Sequence, residues 1–243
     1  MRQFSPPLTC ISVRLVDVKG VAQFARDVGY DALYVDFEHS RLGALSGRDL
    51  VGQARDAGLL GFVRSAGCHI SVIEPLLAVG VDDVLVPGIH TTVAAHRSAM
   101  QMSRSALLAQ APRPTFGVMI ESRTAVAEVT DILAAGDFAY AMFGCTDLRR
   151  EISSSGHDVD QQVCKAIASV GAAVHAAGKT FMVGGTWTSQ PFLTAALDSQ
   201  ADLVTVGSDS RLFERAAREA KARFRAGLPP LTHWHRFPQR HIP

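Results

Sequence analysis

The 243-residue chain has only four cysteines, Cys10, Cys68, Cys145 and Cys164, and no two form a C-x-x-C pair. Thiols scattered this way do not build a disulfide ladder, and they suit a reducing compartment. No stretch approaches the ~18 uninterrupted apolar residues of a membrane span. The opening segment Met1-Arg2-Gln3-Phe4-Ser5-Pro6-Pro7 lacks the apolar core of a signal peptide. Charge of one sign is missing as well: 24 Lys and Arg stand against 23 Asp and Glu. No global field therefore favours nucleic acid or an anionic membrane. These absences predict a soluble, cytoplasmic protein with small-molecule partners, no nucleic acid and no membrane.

What is present is a rhythm. Short apolar runs occur at Leu8–Val13, Ala32–Phe37, Leu60–Arg64, Val84–Val86, Thr115–Ile120, Phe138–Phe143, Thr180–Val183 and Leu203–Val206. Most lack period-2 alternation, as expected for parallel strands buried on both faces. Amphipathic stretches lie between them, among them Arg48–Ala57, Ile70–Val79, Ala125–Ala134, Gln162–Ala177 and Leu212–Ala226. Gly58, Gly80, Gly136 and Gly178 follow helical patterns, where a left-handed residue ends a helix. Eight β-then-α units in a chain near the typical ~250 residues predict one (β/α)8 TIM barrel. The barrel is expected over residues 1–228, with a Pro- and aromatic-rich tail at 229–243 that carries Trp234 and Phe237. Ser153-Ser154-Ser155-Gly156 reads as a flexible loop, a lid above the barrel.

The chemistry lies at the ends of the runs, which is where such a barrel builds its active site. Glu121 and Asp147 follow the fifth and sixth runs. Two carboxylates on adjacent strands can share a hard divalent cation that keeps open positions for a chelating substrate; the alternative is that each is a helix N-cap or pairs with an Arg. Arg64 ends the third run and suits a substrate carboxylate through bidentate contacts; the alternative is a structural salt bridge to Asp36 or Glu38. Asp36-Phe37-Glu38-His39 offers a base, since His39 is poised for proton transfer near neutral pH and a nearby acid can orient it. Period 2 puts Asp36 and Glu38 on one face and turns Phe37 away. Gly184-Gly185 allows close approach of an anion, and Val206-Gly207-Ser208-Asp209 reads as the N-cap of the last helix. Arg149-Arg150 reads as a solvated pair, with a second reading as the holder of another anionic group. His69, His90, His96, His157 and His175 have no partner in sequence and receive no role.

Taken in order, these segments resemble the HpcH/HpaI class II 2-oxo acid aldolases, which include 4-hydroxy-2-oxoheptanedioate and 2-dehydro-3-deoxyglucarate aldolases. The matching pieces are Gly29–His39, Phe62-Val63-Arg64, Val84-Leu85-Val86-Pro87, Val118–Arg123, Gly144–Leu148 and Val206–Asp209, over about residues 8–226. The resemblance implies a barrel of the phosphoenolpyruvate/pyruvate-domain type, with a C-terminal helix swapped between subunits of a hexamer or dimer. It implies that Glu121 and Asp147 hold Mg2+, or Mn2+ or Co2+, which chelates a pyruvate-type substrate. Arg64 would stabilise the enolate oxygen, and Gly144, Thr146 and Asp147 would form the turn that receives the carboxylate. His39 and Asp36, with Glu38 behind them, would move protons in reversible aldol cleavage against an aldehyde acceptor. The rivals are a relative that decarboxylates oxaloacetate or makes a biosynthetic condensation, and a barrel that binds a 2-oxo acid without turning it over. The chain departs from the family at Cys145, where the turn usually has Pro. It also departs at Ala78, which aligns with an acid that partners the catalytic His, and at Met119, where a Gln is common. Between the fourth and fifth strands a longer family loop is reduced to about Arg104–Pro114.

Overall fold

Val, Ile, Leu, Phe and Ala fill the short runs, and such side chains suit strands covered on both faces. The computed structural model describes residues 7–15, 20–40, 42–108, 114–153 and 158–226. In it the runs form β1 (Leu8–Val13), β2 (Ala32–Asp36), β3 (Leu60–Arg64), β4 (Asp83–Val86), β5 (Thr115–Ile120), β6 (Tyr140–Gly144), β7 (Thr180–Gly184) and β8 (Leu203–Ser208). Each strand pairs in parallel with the next, and β8 pairs with β1, so the sheet closes into a barrel. The connecting helices are α1 (Val21–Val28), α2 (Ala44–Asp56), α3 (Ile70–Ala78), α4 (Thr92–Leu108), α5 (Arg123–Ala127), α6 (Val129–Ala134), α7 (Cys145–Ile152), α8 (Val159–Ala176) and α9 (Gln190–Asp198). After β8 comes α10 (Asp209–Ala226). Among the described residues, no helix is long and apolar enough to cross a membrane.

Period 2 along the strands sorts the side chains into two layers. Cys10, Tyr34, Phe62, Leu85, Met119, Tyr140, Met142 and Leu203 form one buried cluster inside the barrel. Tyr34 stacks on Phe62 at 5.3 Å between ring centroids, and Phe62 meets Tyr140 edge-on at 6.1 Å. The alternate set, including Leu33, Val35, Val63, Val118, Ile120 and Phe143, is equally buried and faces the helices. Each such side chain contributes roughly 1.5–3 kcal/mol by leaving water. Continuing the inward period past Tyr34, Phe62 and Met119 leads to Asp36, Arg64 and Glu121. The barrel core thus aims the polar groups into its own mouth.

At the opposite end Tyr140 Oη donates to Asp83 Oδ1 at 2.6 Å. Burial pushes Asp83 up to about 6, although the Tyr140 hydrogen bond opposes the rise.

Several local expectations shift. The stretch Ala125–Ala134 is two helices, broken where Glu128 turns its carboxylate to accept from Thr92 N and Oγ1 at 2.8 and 2.7 Å. Gly58, Gly80 and Gly178 take the left-handed conformation expected past helices, with φ of +73°, +90° and +69°. Gly136 does not; a Cβ there would meet Ala99 Cβ at 2.5 Å, so close helix packing requires it. Ser154, Ser155 and Gly156 of the expected lid, residues 109–113 of the shortened loop and the tail 229–243 lie outside the described residues.

The chain divides into two compact units, Met1–Ser210 and Arg211–Pro243. The first holds the barrel. In the second, Phe213 and Phe224 on α10 are 66% and 65% exposed.

Candidate active site

The parallel register sets Asp36 directly beside Arg64 at the ends of β2 and β3. Arg64 Nε and Nη2 donate to Asp36 Oδ1 and Oδ2 at 2.9 and 2.6 Å, a two-pronged pair sealed from water. Arg14 Nη2, just past β1, adds a third charge at 3.1 Å from Asp36 Oδ2. Burial opposes the charge on Asp36, but Arg64's hydrogen bonds and charge outweigh it, and Arg14 assists. The carboxyl is held below the usual carboxylate range. Arg64 is likewise opposed by burial and more than compensated by Tyr34, Asp36 and Glu38, so its pKa rises.

Asp36 also builds the turn behind it. Its Oδ1 accepts from the backbone N–H of Glu38 at 3.1 Å and of His39 at 3.3 Å. That short-range wrap explains why the acid, the Glu and the His are spaced as they are. Phe37 points the other way, as period 2 requires, and fills the space over Gly47 on α2. Arg64 then gathers the turn's side chains: Nη1 lies 2.7 Å from Glu38 Oε2, and Nη2 lies 2.6 Å from His39 Nδ1. Nη1 donates in addition to Met119 Sδ at 3.6 Å.

Glu121 follows β5 and is 7% exposed. Gly88, in the turn after β4 with φ +71°, donates its N–H to Glu121 Oε1 at 2.8 Å. Burial is the largest influence and pushes Glu121 up to about 7. Glu38 and Asp147 add to the rise, while the Gly88 N–H and Arg64 oppose it. Gly144 ends β6 next to Glu121, and a Cβ there would sit 2.8 Å from Glu121 Cβ. Only glycine lets this carboxylate stand where it does. Asp147 follows in the first turn of α7, half-buried, and Gly185 packs so tightly that a Cβ would lie 2.9 Å from Thr146 Oγ1.

Glu38, His39, Gly88, His90, Glu121, Ser122, Asp147, Arg150 and Glu151 line one open pocket of about 390 Å³. Its carboxylate excess and the raised Glu121 fit a hard cation, which takes oxygen ligands and favours the ionised acid. Asp36, Glu38 and His39 also place ligand atoms within 4.8 Å of one another. That trio already surrounds the Arg64 guanidinium, so a second cation at its centre meets a like charge; Glu121 and Asp147 are the better-suited pair.

The structure brings His39, Glu38, Glu121 and Asp147 together on the pocket wall. Arg64 lies just beneath, and Asp36 lies deeper, acting on the pocket through Arg64 and the turn. Arg64 makes the salt bridges to Asp36 and Glu38 that were the alternative to an anion site. Ser122, not Glu121, caps α5, accepting from Ala125 N at 3.2 Å. Asp209 binds Arg14 N and Leu15 N at 3.1 and 2.9 Å, tying the end of β1 to the end of β8. Ala78 ends α3 and is exposed. Cys145 is buried, and burial raises its thiol pKa, so it serves as an inert wall of the turn.

Sequence reasoning missed Arg14, the Gly88 N–H and His90. The signal for the last two was present, since Pro87-Gly88 and His90 directly follow a strand end.

Residues 19–216 match the HpcH/HpaI aldolase/citrate lyase family. The chain is 25% identical to the 4-hydroxy-4-methyl-2-oxoglutarate aldolase of Hapsidospora irregularis, over 86% of this chain and 87% of that protein. It is 30% identical to the hydroxypyruvate/pyruvate aldolase of Rhizorhabdus wittichii, over 81% and 86%. The fold matches the crystal structure of an HpcH/HpaI aldolase from Desulfitobacterium hafniense with a TM-score of 0.73, at 18% identity and covering 93% and 95% of the two chains. A match over most of the barrel, joined to the strand-end geometry above, gives the identity: the chain belongs to the HpcH/HpaI aldolase/citrate lyase family and is an enzyme of the carbon–carbon lyase class.

Proposed function

We propose that this enzyme is a divalent-metal-dependent aldolase that makes and breaks a carbon–carbon bond through the enolate of a 2-oxo acid. The observation that carries the reading is Glu121, a buried carboxylate that shares its pocket with Asp147 and Glu38 and is held up to about 7. Such an acid is costly to ionise until a cation faces it. Relatives named for 4-hydroxy-4-methyl-2-oxoglutarate and for hydroxypyruvate and pyruvate support a 2-oxo acid as substrate. Glu121 and Asp147 would hold Mg2+, Mn2+ or Co2+, which supplies Lewis-acid polarisation of the keto oxygen when bound.

Arg64 stabilises the enolate oxygen, with Gly144, Thr146 and Asp147 forming the carboxylate-binding turn. All five guanidinium N–H groups of Arg64 are engaged: three by Asp36 and His39, and two by Glu38 and Met119 Sδ. An oxygen of the substrate is therefore received at Nη1, where the sulfur is the weakest acceptor and Glu38 the movable one. Asp36 keeps the other edge of the guanidinium fixed. Once Glu38 has turned aside, Nη1 is held by the Asp36 pair facing the oxygen on which charge develops.

His39 carries the proton. A guanidinium can only donate, so the 2.6 Å contact makes His39 Nδ1 an acceptor and places the neutral ring's proton on Nε2. For Nε2 to take a proton, Nδ1 must exchange Arg64 for a carboxylate. Asp36 Oδ2 at 3.6 Å and Glu38 Oε2 at 3.8 Å are within reach. Glu38 leaving Nη1 and His39 leaving Nη2 of the one fixed guanidinium link enolate binding to the base.

Deuterium exchange at the methyl group of pyruvate, followed by NMR with and without Mg2+, tests the reading. The expected result is exchange that needs both the metal and Arg64. Metal-independent exchange, or none at all, would sink it.

A further inference from the structure

Arg150 is the only Arg or Lys among the described residues that line the pocket. It lies three residues after Asp147 on α7, with Nη1 2.7 Å from Asp147 Oδ1. Its side chain is 74% exposed, so the contact is a surface ion pair of the weak, readily exchanged kind. The neighbouring Arg149 is held elsewhere, with Nε 3.0 Å from Asp160 Oδ1 and its guanidinium 5.7 Å from the centre of the Phe192 ring. Adjacent arginines thus have separate attachments, one against α8 and α9 and one at the pocket.

The remaining charged lining is acidic or imidazole: Glu38, Glu121, Asp147 and Glu151 with His39 and His90. A divalent cation held by Glu121 and Asp147 would meet one carboxylate of a 2-oxo acid. It would also compete with Arg150 for the Asp147 carboxylate, and a displaced Arg150 would turn its donors to the pocket wall. Guanidinium binds a planar carboxylate through two parallel N–H bonds. A pocket of about 390 Å³ also holds more than pyruvate fills.

We propose that Arg150 exchanges Asp147 for the second carboxylate of a dicarboxylic 2-oxo acid, making the enzyme selective for doubly charged substrates. The inference rests on the aldolase reading for the position of the first carboxylate, but its test reads binding and needs no turnover.

Full-length protein saturated with Mg2+ is titrated calorimetrically with 2-oxoglutarate and with 2-oxopentanoate, which replaces the distal carboxylate by methyl. The unaltered protein should prefer 2-oxoglutarate by on the order of tenfold, the ratio that a charge-assisted pair at an accessible site supports. Arg150→Gln should bring the ratio to about one, while Arg149→Gln keeps it. A ratio near one in the unaltered protein, a ratio that survives Arg150→Gln, or one lost equally in Arg149→Gln overturns the proposal. Titration with Mg2+ alone checks the exchange: Arg150→Gln should bind a few-fold more tightly because the competitor is gone, and unchanged or weaker affinity refutes it. Failure of the aldolase reading has a different signature, loss of pyruvate methyl exchange with the dicarboxylate preference intact.

Discussion

Replacing Glu121 with Gln should make the enzyme more stable and inactive, and the gain should appear only above a defined pH. The carboxyl is moved from its ordinary 4.5 up to about 7, chiefly by burial and then by Glu38 and Asp147. Because the folded pKa is raised, its contribution is fully present below about 4.5 and is lost as pH rises through about 7. At 1.36 kcal/mol per pH unit the loss amounts to roughly 3 kcal/mol. Gln keeps an oxygen for the Gly88 N–H, now 2.8 Å from Oε1, and has no proton to release. The variant should therefore match the unaltered protein near pH 4.5 and exceed it by roughly 3 kcal/mol at pH 8. Asp83, pushed up to about 6, titrates in both proteins and cancels in the difference. Urea unfolding with a chelator present, repeated from pH 4.5 to 8.5, gives the measurement. Parallel stability curves for the two proteins would refute the reasoning, because Glu121 would then ionise in the fold as easily as in the open chain. Added Mg2+ should raise the stability of the unaltered protein at pH 8 and leave the variant untouched.

Asp147→Ala should abolish the calorimetric heat of Mg2+ binding and the activity while circular dichroism stays native; retained metal affinity would remove Asp147 from the site. Arg64→Lys should lose on the order of 100-fold in pyruvate exchange, since Lys keeps the charge but not the fork that grips Asp36 while facing substrate. Near-normal exchange in that variant would reduce Arg64 to a structural ion pair. Light scattering should give a homo-oligomer, a dimer or hexamer, for the full chain, with a chain ending at Gly227 run beside it to locate the contribution of the tail. The exposed Phe213 and Phe224 on α10 motivate this, and a monomeric mass for the full chain at micromolar concentration contradicts it.

The barrel was legible because its strands are buried on both faces, so unbroken runs such as Ala32–Val35 and Thr115–Ile120 have no other home in a chain of this length. Helix ends were harder. The break at Glu128 depends on Thr92, 36 positions away, offering two donors to its carboxylate. Gly136 looked like the other helix-end glycines, but it answers to a contact with Ala99 on another helix. Tertiary neighbours decided both, and no local propensity records them.

The site divides along the same line. Asp36, Arg64 and Glu121 could be read because each continues an inward period whose earlier members, Tyr34, Phe62 and Met119, are apolar. What the period cannot show is who holds whom at the mouth. Arg64 has as many engaged donors as it possesses, and Arg150 rests on the carboxylate that a cation would take. An anion site in sequence terms is an unpaired arginine at a strand or helix end; in the folded barrel both arginines are already paired with acids of the same pocket. Their proposed roles then depend on exchange, with Glu38 yielding Nη1 of Arg64 and Asp147 yielding Arg150. The partners to be exchanged differ in cost. Asp36 is sealed and bidentate, so removing it would strand a buried charge, whereas Glu38 and Asp147 are partly exposed and can turn to water or a cation at little expense. The gradient from fixed to movable acid runs outward from the barrel core, which is the direction from which a substrate arrives.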